Sequence, residues 1–213
     1  MADLLIADDH PIFLAGLRSF LQAHGHHVVA QVGTASEAIR TLKSIKPDVL
    51  MVDFHMPDGG GLQVLTHVRE AGIELPVIFL SVGIDGKNIL DALRLGVNGL
   101  VLKNNEPQSL VECIDAVTRG EDWFESAMIE ALIAYQQRPD TRAGDIESCL
   151  RQLSGREREI AVCAASAARN REIAQKFDIT EGTVKVHLYH IYRKLGISSR
   201  GELMLMLAGI SKT

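Results

Sequence analysis

Apolar positions over the first 120 or so residues keep two rhythms in turn. Runs apolar at nearly every position fall at 3–7, 27–32, 49–52, 76–80 and 99–102. Between them, apolar residues return every three or four positions: Ile12, Leu14, Leu17, Phe20 and Leu21 follow Pro11, and Leu62, Val64, Leu65 and Val68 follow three glycines. The first rhythm predicts strands buried on both faces, and the second predicts helices laid over them. Helices are expected from Pro11 through Leu21, over 36–46, through Leu62 to Val68, and over 88–95 and 107–119. Pro11 suits a first helical turn, where its missing N–H has no partner to lose. Five β-α alternations imply α/β architecture with a doubly wound five-stranded parallel sheet.

After Gly120 the pattern changes. Trp123 and Phe124 are expected to pack a short segment against the sheet domain. Residues 126–137 read as an amphipathic helix with Met128, Leu132 and Tyr135 on one stripe, and 138–145 as a linker by composition. Ser154 with Glu157 three residues on is a capping-box pattern that starts a helix with Ile160 and Cys163 inside. A second helix spans 170–177, a tight turn 178–180, and Thr180 caps a third helix over 181–195. Ser199 and Glu202 repeat the capping pattern before Leu203, Met206 and Leu207. The back of the chain is therefore a small all-α four-helix domain.

Chemistry enters at the carboxyl ends of the expected strands, where open α/β sheets place their sites. Those ends carry Asp8 and Asp9, Asp53, Ser81 and Lys103. Three converging carboxylates repel one another unless a divalent cation sits among them. Mg²⁺ suits oxygen ligands and sits readily with phosphate. A hydroxyl and an ammonium complete a cage for a transferring phosphoryl group, attacked in line by Asp53.

This order of residues, Asp-Asp, then Asp in V-D-F-H-M-P-D-G-G-G, then Ser, then Lys, resembles the receiver domain of two-component response regulators over residues 1–124. The resemblance implies a flavodoxin or CheY-like fold, Asp53 as phosphoacceptor and a sensor histidine kinase as phosphodonor. It also implies Mg²⁺ held by Asp8, Asp9, Asp53 and the backbone carbonyl of His55, with Ser81 and Lys103 on the phosphoryl oxygens. Two positions depart from the pattern. Leu100 stands at the switch position, where receivers usually carry Tyr or Phe, and Val82 follows Ser81 where a small residue is usual.

In the back domain, Val184, Leu188, Ile191 and Leu195 fall on one face of the third helix, while Gly182, Lys185, Val186, Tyr189 and Arg193 fall opposite. A three-residue turn before such a helix fits helix-turn-helix DNA recognition, at about 170–190. A solvated face in an α-bundle has the same pattern. L-S-x-R-E-x-E-I, N-R-E-I-A, T-V-K-V-H-L and K-L-G-I resemble the LuxR-type helix-turn-helix domain, here 150–213, with 125–149 as linker helix and linker. Receiver plus this module is the NarL/FixJ architecture. It implies Lys185, Val186 and Tyr189 in the major groove of double-stranded DNA, and Thr183, Arg193 and Lys194 on phosphates. It further implies a homodimer, especially when phosphorylated. Ala167 stands where the family favours Gly, and Tyr189 where some members carry Lys.

Charge sharpens this division. Net charge is −5 overall, with −8 over 1–125 and +5 over 151–213, an acidic front and a basic back suited to a polyanion. Cys113, Cys149 and Cys163 are widely spaced and fit reduced thiols in a cytoplasmic protein. No apolar run approaches membrane-spanning length and no secretory signal is expected. His24, His26 and His27 are expected in a solvated turn around Gly25. The expected function is a DNA-binding transcriptional response regulator rather than an enzyme, accepting a phosphoryl group on Asp53. The alternatives are a constitutive DNA binder whose receiver dimerises without phosphate and, more remotely, an Asp-based phosphotransferase. The last wants D-x-D, and Phe54-His55 follows Asp53 instead.

Overall fold

The computed structural model describes residues 1–83, 85–136, 150, 152–197 and 199–207. The expected linker at 138–145 lies outside them. The chain forms two units, one of residues 1–83 and 97–124, the other of 84–96 and 125–213.

In the first unit the strands are β1 (Asp3–Ala7), β2 (His27–Val32), β3 (Val49–Asp53), β4 (Val77–Ser81), β5 (Gly99–Leu102) and β6 (Trp123–Phe124). Their order is β2-β1-β3-β4-β5-β6, all parallel. The expected five-stranded core is present, and β6 adds a sixth strand. Two residues are too short to show a period, but Trp123 and Phe124 pair with Gly99 and Leu100 and bury both rings. The helices of this unit are α1 (Pro11–Ala23), α2 (Ala35–Thr41), α3 (Gly60–Glu70) and α5 (Pro107–Thr118). Alternate residues of β1 and β3 (Leu4, Ile6, Val49, Met51) share a core with Leu17, Leu21 of α1 and Leu110, Ile114 of α5. Every residue of β3 is buried, so both faces of the sheet are covered, as the unbroken apolar run implies.

Two local expectations change. Helix α2 ends at Thr41 rather than near Lys46, because Lys43 and Ser44 donate to carbonyls three residues back and tighten the chain out of the helix. His26 is buried, while His24 and His27 are exposed. Gly25 at φ +81 ends α1 in a Schellman turn, its N–H donating to Gln22 and that of His26 to Leu21. The residue after that glycine turns back onto the helix. Burial then pushes the His26 imidazole below its ordinary range, against the pull of Asp115 at 4.0 Å.

In the second unit α4 (Gly86–Arg94), opened by the Asp85 side chain accepting from the Asn88 N–H, packs against α6 (Ser126–Gln136) and α10 (Arg200–Leu207). Met128 and Leu132 of α6 are buried and Tyr135 is half-buried. The remaining helices are α7 (Gly155–Ala165), α8 (Asn170–Phe177) and α9 (Glu181–Leu195). Ile160, Ile173, Val184, Leu188, Ile191 and Leu203 form their shared core, and Cys163 sits only partly inside it. The Ser154–Glu157 capping box forms as expected, and Glu157 also takes Lys194 Nζ on both oxygens at 2.8 and 2.6 Å.

Lys194 and the cap hold the Glu157 carboxyl down to about 2, against the opposing effect of burial. A folded-state value below the ordinary 4.5 means that the pair stabilises the fold fully above that pH. The contribution is then lost as pH falls toward 2. Glu157→Gln keeps an oxygen for the Ser154 N–H but loses the charge pair. With the lysine side chain 45% exposed, the variant should lose roughly 1 kcal/mol at neutral pH, the upper end for such pairs. The gap between the urea midpoints of variant and wild type should close as pH is lowered from 4.5 to 2, and a gap that stays constant with pH would refute the assignment.

Candidate functional site

Register brings the polar strand ends together. Ala7 is opposite Val52, so Asp8, one residue beyond, comes beside Asp53 at the end of β3. Leu102 is opposite Ser81, and Lys103 follows it, its N–H donating to the Ser81 carbonyl at 2.7 Å. Lys103 Nζ lies 2.7 Å from Asp53 Oδ2 and 2.7 Å from Asp8 Oδ2. Burial works against that ammonium, but the hydrogen bonds and charges of Asp53 and Asp8 outweigh it, and its pKa is raised. Asp53 Oδ1 accepts from the His55 N–H at 3.2 Å. Ser81 is fully buried, its hydroxyl donating to the Gly83 carbonyl at 2.7 Å.

The carboxylates outnumber the cation that faces them. Ligand atoms of Asp8, Asp9, His10 and Asp53 all lie within 4.8 Å of one another. Asp8 Oδ2 and Asp9 Oδ1 are buried, with only Lys103 Nζ at 2.7 Å and His10 Nδ1 at 2.8 Å facing them. Oxygen-rich and anionic, the cluster fits a hard divalent cation.

The loop after Asp53 is shaped by two close approaches. Gly60 has φ +66, and a Cβ there would meet the Phe54 carbonyl, while a Cβ on Gly61 would come within 2.9 Å of the Phe79 ring and 3.1 Å of the Asp53 carbonyl. Asp58 ties the same loop to the start of α2 by accepting from the Ala35 and Ser36 N–H groups at 2.8 and 2.9 Å.

In the second unit, α8 ends on Asp178 in the left-handed region, and the Thr180 side chain caps α9 through the Thr183 N–H. Val184, Leu188 and Ile191 are buried, and Gly182, Lys185, Val186, Tyr189 and Arg193 are exposed on the other side. The guanidinium of Arg193 lies 5.8 Å from the Tyr189 ring. Thr183 is half-buried with its hydroxyl 2.9 Å from that of Thr180, so much of its polar capacity serves the cap.

The family model of the response regulator receiver domain matches residues 4–115, and that of bacterial regulatory proteins of the luxR family matches 151–207. The nitrate/nitrite response regulator protein NarL of Escherichia coli K12 is 31% identical over 202 residues, covering 94% of this chain and 92% of NarL. The chain belongs to the NarL/FixJ-type response regulators. The response regulator protein VraR of Staphylococcus aureus is 30% identical over 203 residues, covering 95% of this chain and 94% of VraR. Among solved structures, the RcsB response regulator of Salmonella typhimurium aligns with a TM-score of 0.59 and 26% identity, over 97% of this chain and 98% of that one. The protein is thus a two-component response regulator with a LuxR-type helix-turn-helix.

The departures of this response regulator from its family now have local accounts. Val82 is 72% exposed, so its extra bulk meets solvent. Leu100 is fully buried beside Phe79 and Phe124 on the neighbouring strands, a core side chain. Ala167 has φ +59, a conformation that costs an L-residue about 1–2 kcal/mol and explains why Gly is favoured there. Lys194, expected on a DNA phosphate, is exposed and pairs with Glu157 at the α7 cap. His10 and Asp58 escaped the sequence reading; the position of His10 directly after two acids was the available signal for the first.

Proposed function

We propose that Asp53 accepts a phosphoryl group from a histidine kinase and that the modification raises the DNA affinity of α9. The observation that supports this best is one ammonium, Lys103 Nζ, 2.7 Å from the carboxylates of both Asp8 and Asp53, at the sheet edge where the register aligns them. An Asp53 oxygen attacks phosphorus, a P–O bond forms as the P–N bond of the phosphohistidine breaks, and the electron pair leaves with the imidazole. Lys103 exchanges carboxylate contacts for phosphoryl oxygens, and the Ser81 hydroxyl exchanges the Gly83 carbonyl for another. Asp8, Asp9, Asp53 and the His55 carbonyl would hold Mg²⁺, which when bound neutralises charge on the phosphoryl oxygens.

On DNA, Lys185, Val186 and Tyr189 are the proposed major-groove residues, with Thr183, Arg193 and Lys194 on phosphates. The proposed boundaries are 1–124 for the receiver, 125–149 for the linking segment and 150–213 for the DNA-binding domain. The proposed active form is a homodimer in the cytoplasm; among the described residues no helix is long and apolar enough to cross a membrane. A second reading, DNA binding independent of phosphorylation, rests on Leu100, whose buried aliphatic side chain has no polar end to reorient.

The deciding experiment titrates the full chain onto a duplex found by footprinting genomic fragments, with and without acetyl phosphate and Mg²⁺. Coupling of about 1–3 kcal/mol corresponds to roughly 5 to 150-fold tighter binding on phosphorylation. Equal affinity in the two conditions, with phosphorylation verified by intact mass, would favour the second reading.

A further inference from the structure

The outer face of α9 carries more apolar surface than a merely solvated helix needs. Val186 is 54% exposed and Tyr189 59%, both turned away from the core that Val184, Leu188 and Ile191 share. Three positions apart on one helix, they are neighbours on its surface and make a single patch. Lys185 is exposed beside them. Arg193, four positions beyond Tyr189, leans back along the helix and sets its guanidinium 5.8 Å from the ring centroid, within cation–π range. The major groove of a duplex presents donors and acceptors at every base-pair edge and a single apolar group, the thymine C5 methyl. Valine and tyrosine brought against those edges displace water from polar groups without replacing it, unless they meet the methyls. Residues three apart are separated by about 4.5 Å along a helix axis, and successive base pairs by about 3.4 Å. The two side chains are therefore spaced to meet neighbouring base pairs.

Resting on the placement of α9 in the major groove proposed above, we infer that Val186 and Tyr189 read thymine methyl groups on two adjacent base pairs of the operator half-site. A lysine, which some members of the family carry at the position of Tyr189, pairs with guanine O6 and N7, and a tyrosine has no cation to do so. The exchange moves the preferred base at that position from guanine to thymine.

The test uses the full chain with acetyl phosphate and Mg²⁺ at one salt concentration. Selection from random synthetic duplexes, whose only base methyls are those of thymine, defines the half-site. Each thymine in it is then replaced by deoxyuridine, which removes the methyl and leaves every hydrogen-bonding group in place. Two adjacent replacements should each weaken wild-type binding about fourfold, the equivalent of roughly 0.8 kcal/mol for one buried methyl. Val186→Ala should abolish that penalty at one of the two positions and Tyr189→Ala at the other. Tyr189→Phe should retain it, because the ring and not the hydroxyl makes the contact. Tyr189→Lys should change the selected base at its position from thymine to guanine. Uracil tolerated at every position, with Lys185→Ala still weakening the selected duplex, overturns the thymine reading and leaves α9 in the groove. A methyl penalty that both alanine variants leave unchanged overturns it as well. If Lys185→Ala, Val186→Ala and Tyr189→Ala all bind selected and random duplexes as wild type does, α9 does not face the groove, and both readings fall.

Discussion

Asp53→Asn takes up no phosphoryl group from acetyl phosphate and Mg²⁺ under conditions that modify the wild-type chain: that is the expected result of intact-mass measurement on the two proteins. The carboxamide fits the space of the carboxylate and retains an oxygen for the His55 N–H, now 3.2 Å from Asp53 Oδ1. It lacks the negative charge and the nucleophilic electron pair, so the loss is chemical and not structural. Lys103 keeps its contact with Asp8, and one fewer carboxylate faces Asp8 and Asp9. The variant's urea midpoint should accordingly equal or exceed that of wild type. Borohydride reduction of the phosphorylated wild-type chain should mark the peptide containing residue 53. An adduct of equal occupancy on the Asn variant would transfer the role to another carboxylate, with Asp9 first in line because its side chain is the more exposed of the neighbouring pair.

Arg200→Met should unfold much of the helix-turn-helix domain. Arg200 is buried, its Nε donating to the Ala164 carbonyl at 3.0 Å, and its terminal nitrogens reaching Ala164 again, Ala168 and the Asn170 side chain. This one guanidinium therefore closes the turn between α7 and α8 from below. Methionine fills a similar volume but removes the guanidinium donors to the Ala168 carbonyl and the Asn170 side chain, leaving Ala164 with its backbone donor from Ala167; each unsatisfied group costs about 1–3 kcal/mol. Losing several hydrogen bonds from a charged group, about 1.5–3 kcal/mol each, removes a large fraction of the 5–15 kcal/mol typical of a whole domain. Arg200→Lys should fall between, since an ammonium cannot fork across two carbonyls. Hydrogen exchange at the amides of α8 and α9 is the appropriate measurement, because two units need not unfold together. Trp123, the chain's single tryptophan, reports the sheet separately and should be unaffected. Native-like protection of α8 and α9 in Arg200→Met would show that the domain is held by its apolar core alone.

Arg200 also marks where the sequence stops being informative. The strand ends were legible because Val49–Asp53 is apolar without a break until the acid, and such a run has few places to go except the middle of a parallel sheet. The inner face of α9 was legible from its 3.6-residue period for the same reason: burial writes itself into spacing. A buried arginine in a capping pattern, Ser199-Arg200-Gly201-Glu202, reads as surface, and only the three-dimensional path of the α7–α8 turn turns it inward. The Lys194–Glu157 pair was not legible either, since its partners are 37 positions apart. His26 was hidden by its neighbours, as three histidines around a glycine suggest solvent until the hydrogen bonds of the turn are counted. β6 fell below the length at which alternation can be recognised.

The sixth strand leaves the sheet with two unlike margins. One is β6, two residues long and largely taken up by the burial of its aromatic rings. The other is β2, six residues, whose outer row of peptide groups faces no further strand among the described residues. Unsatisfied strand margins are templates for intermolecular pairing, and length decides how many hydrogen bonds an intruding chain can form. Aggregation of this protein during expression or heating should therefore start along β2.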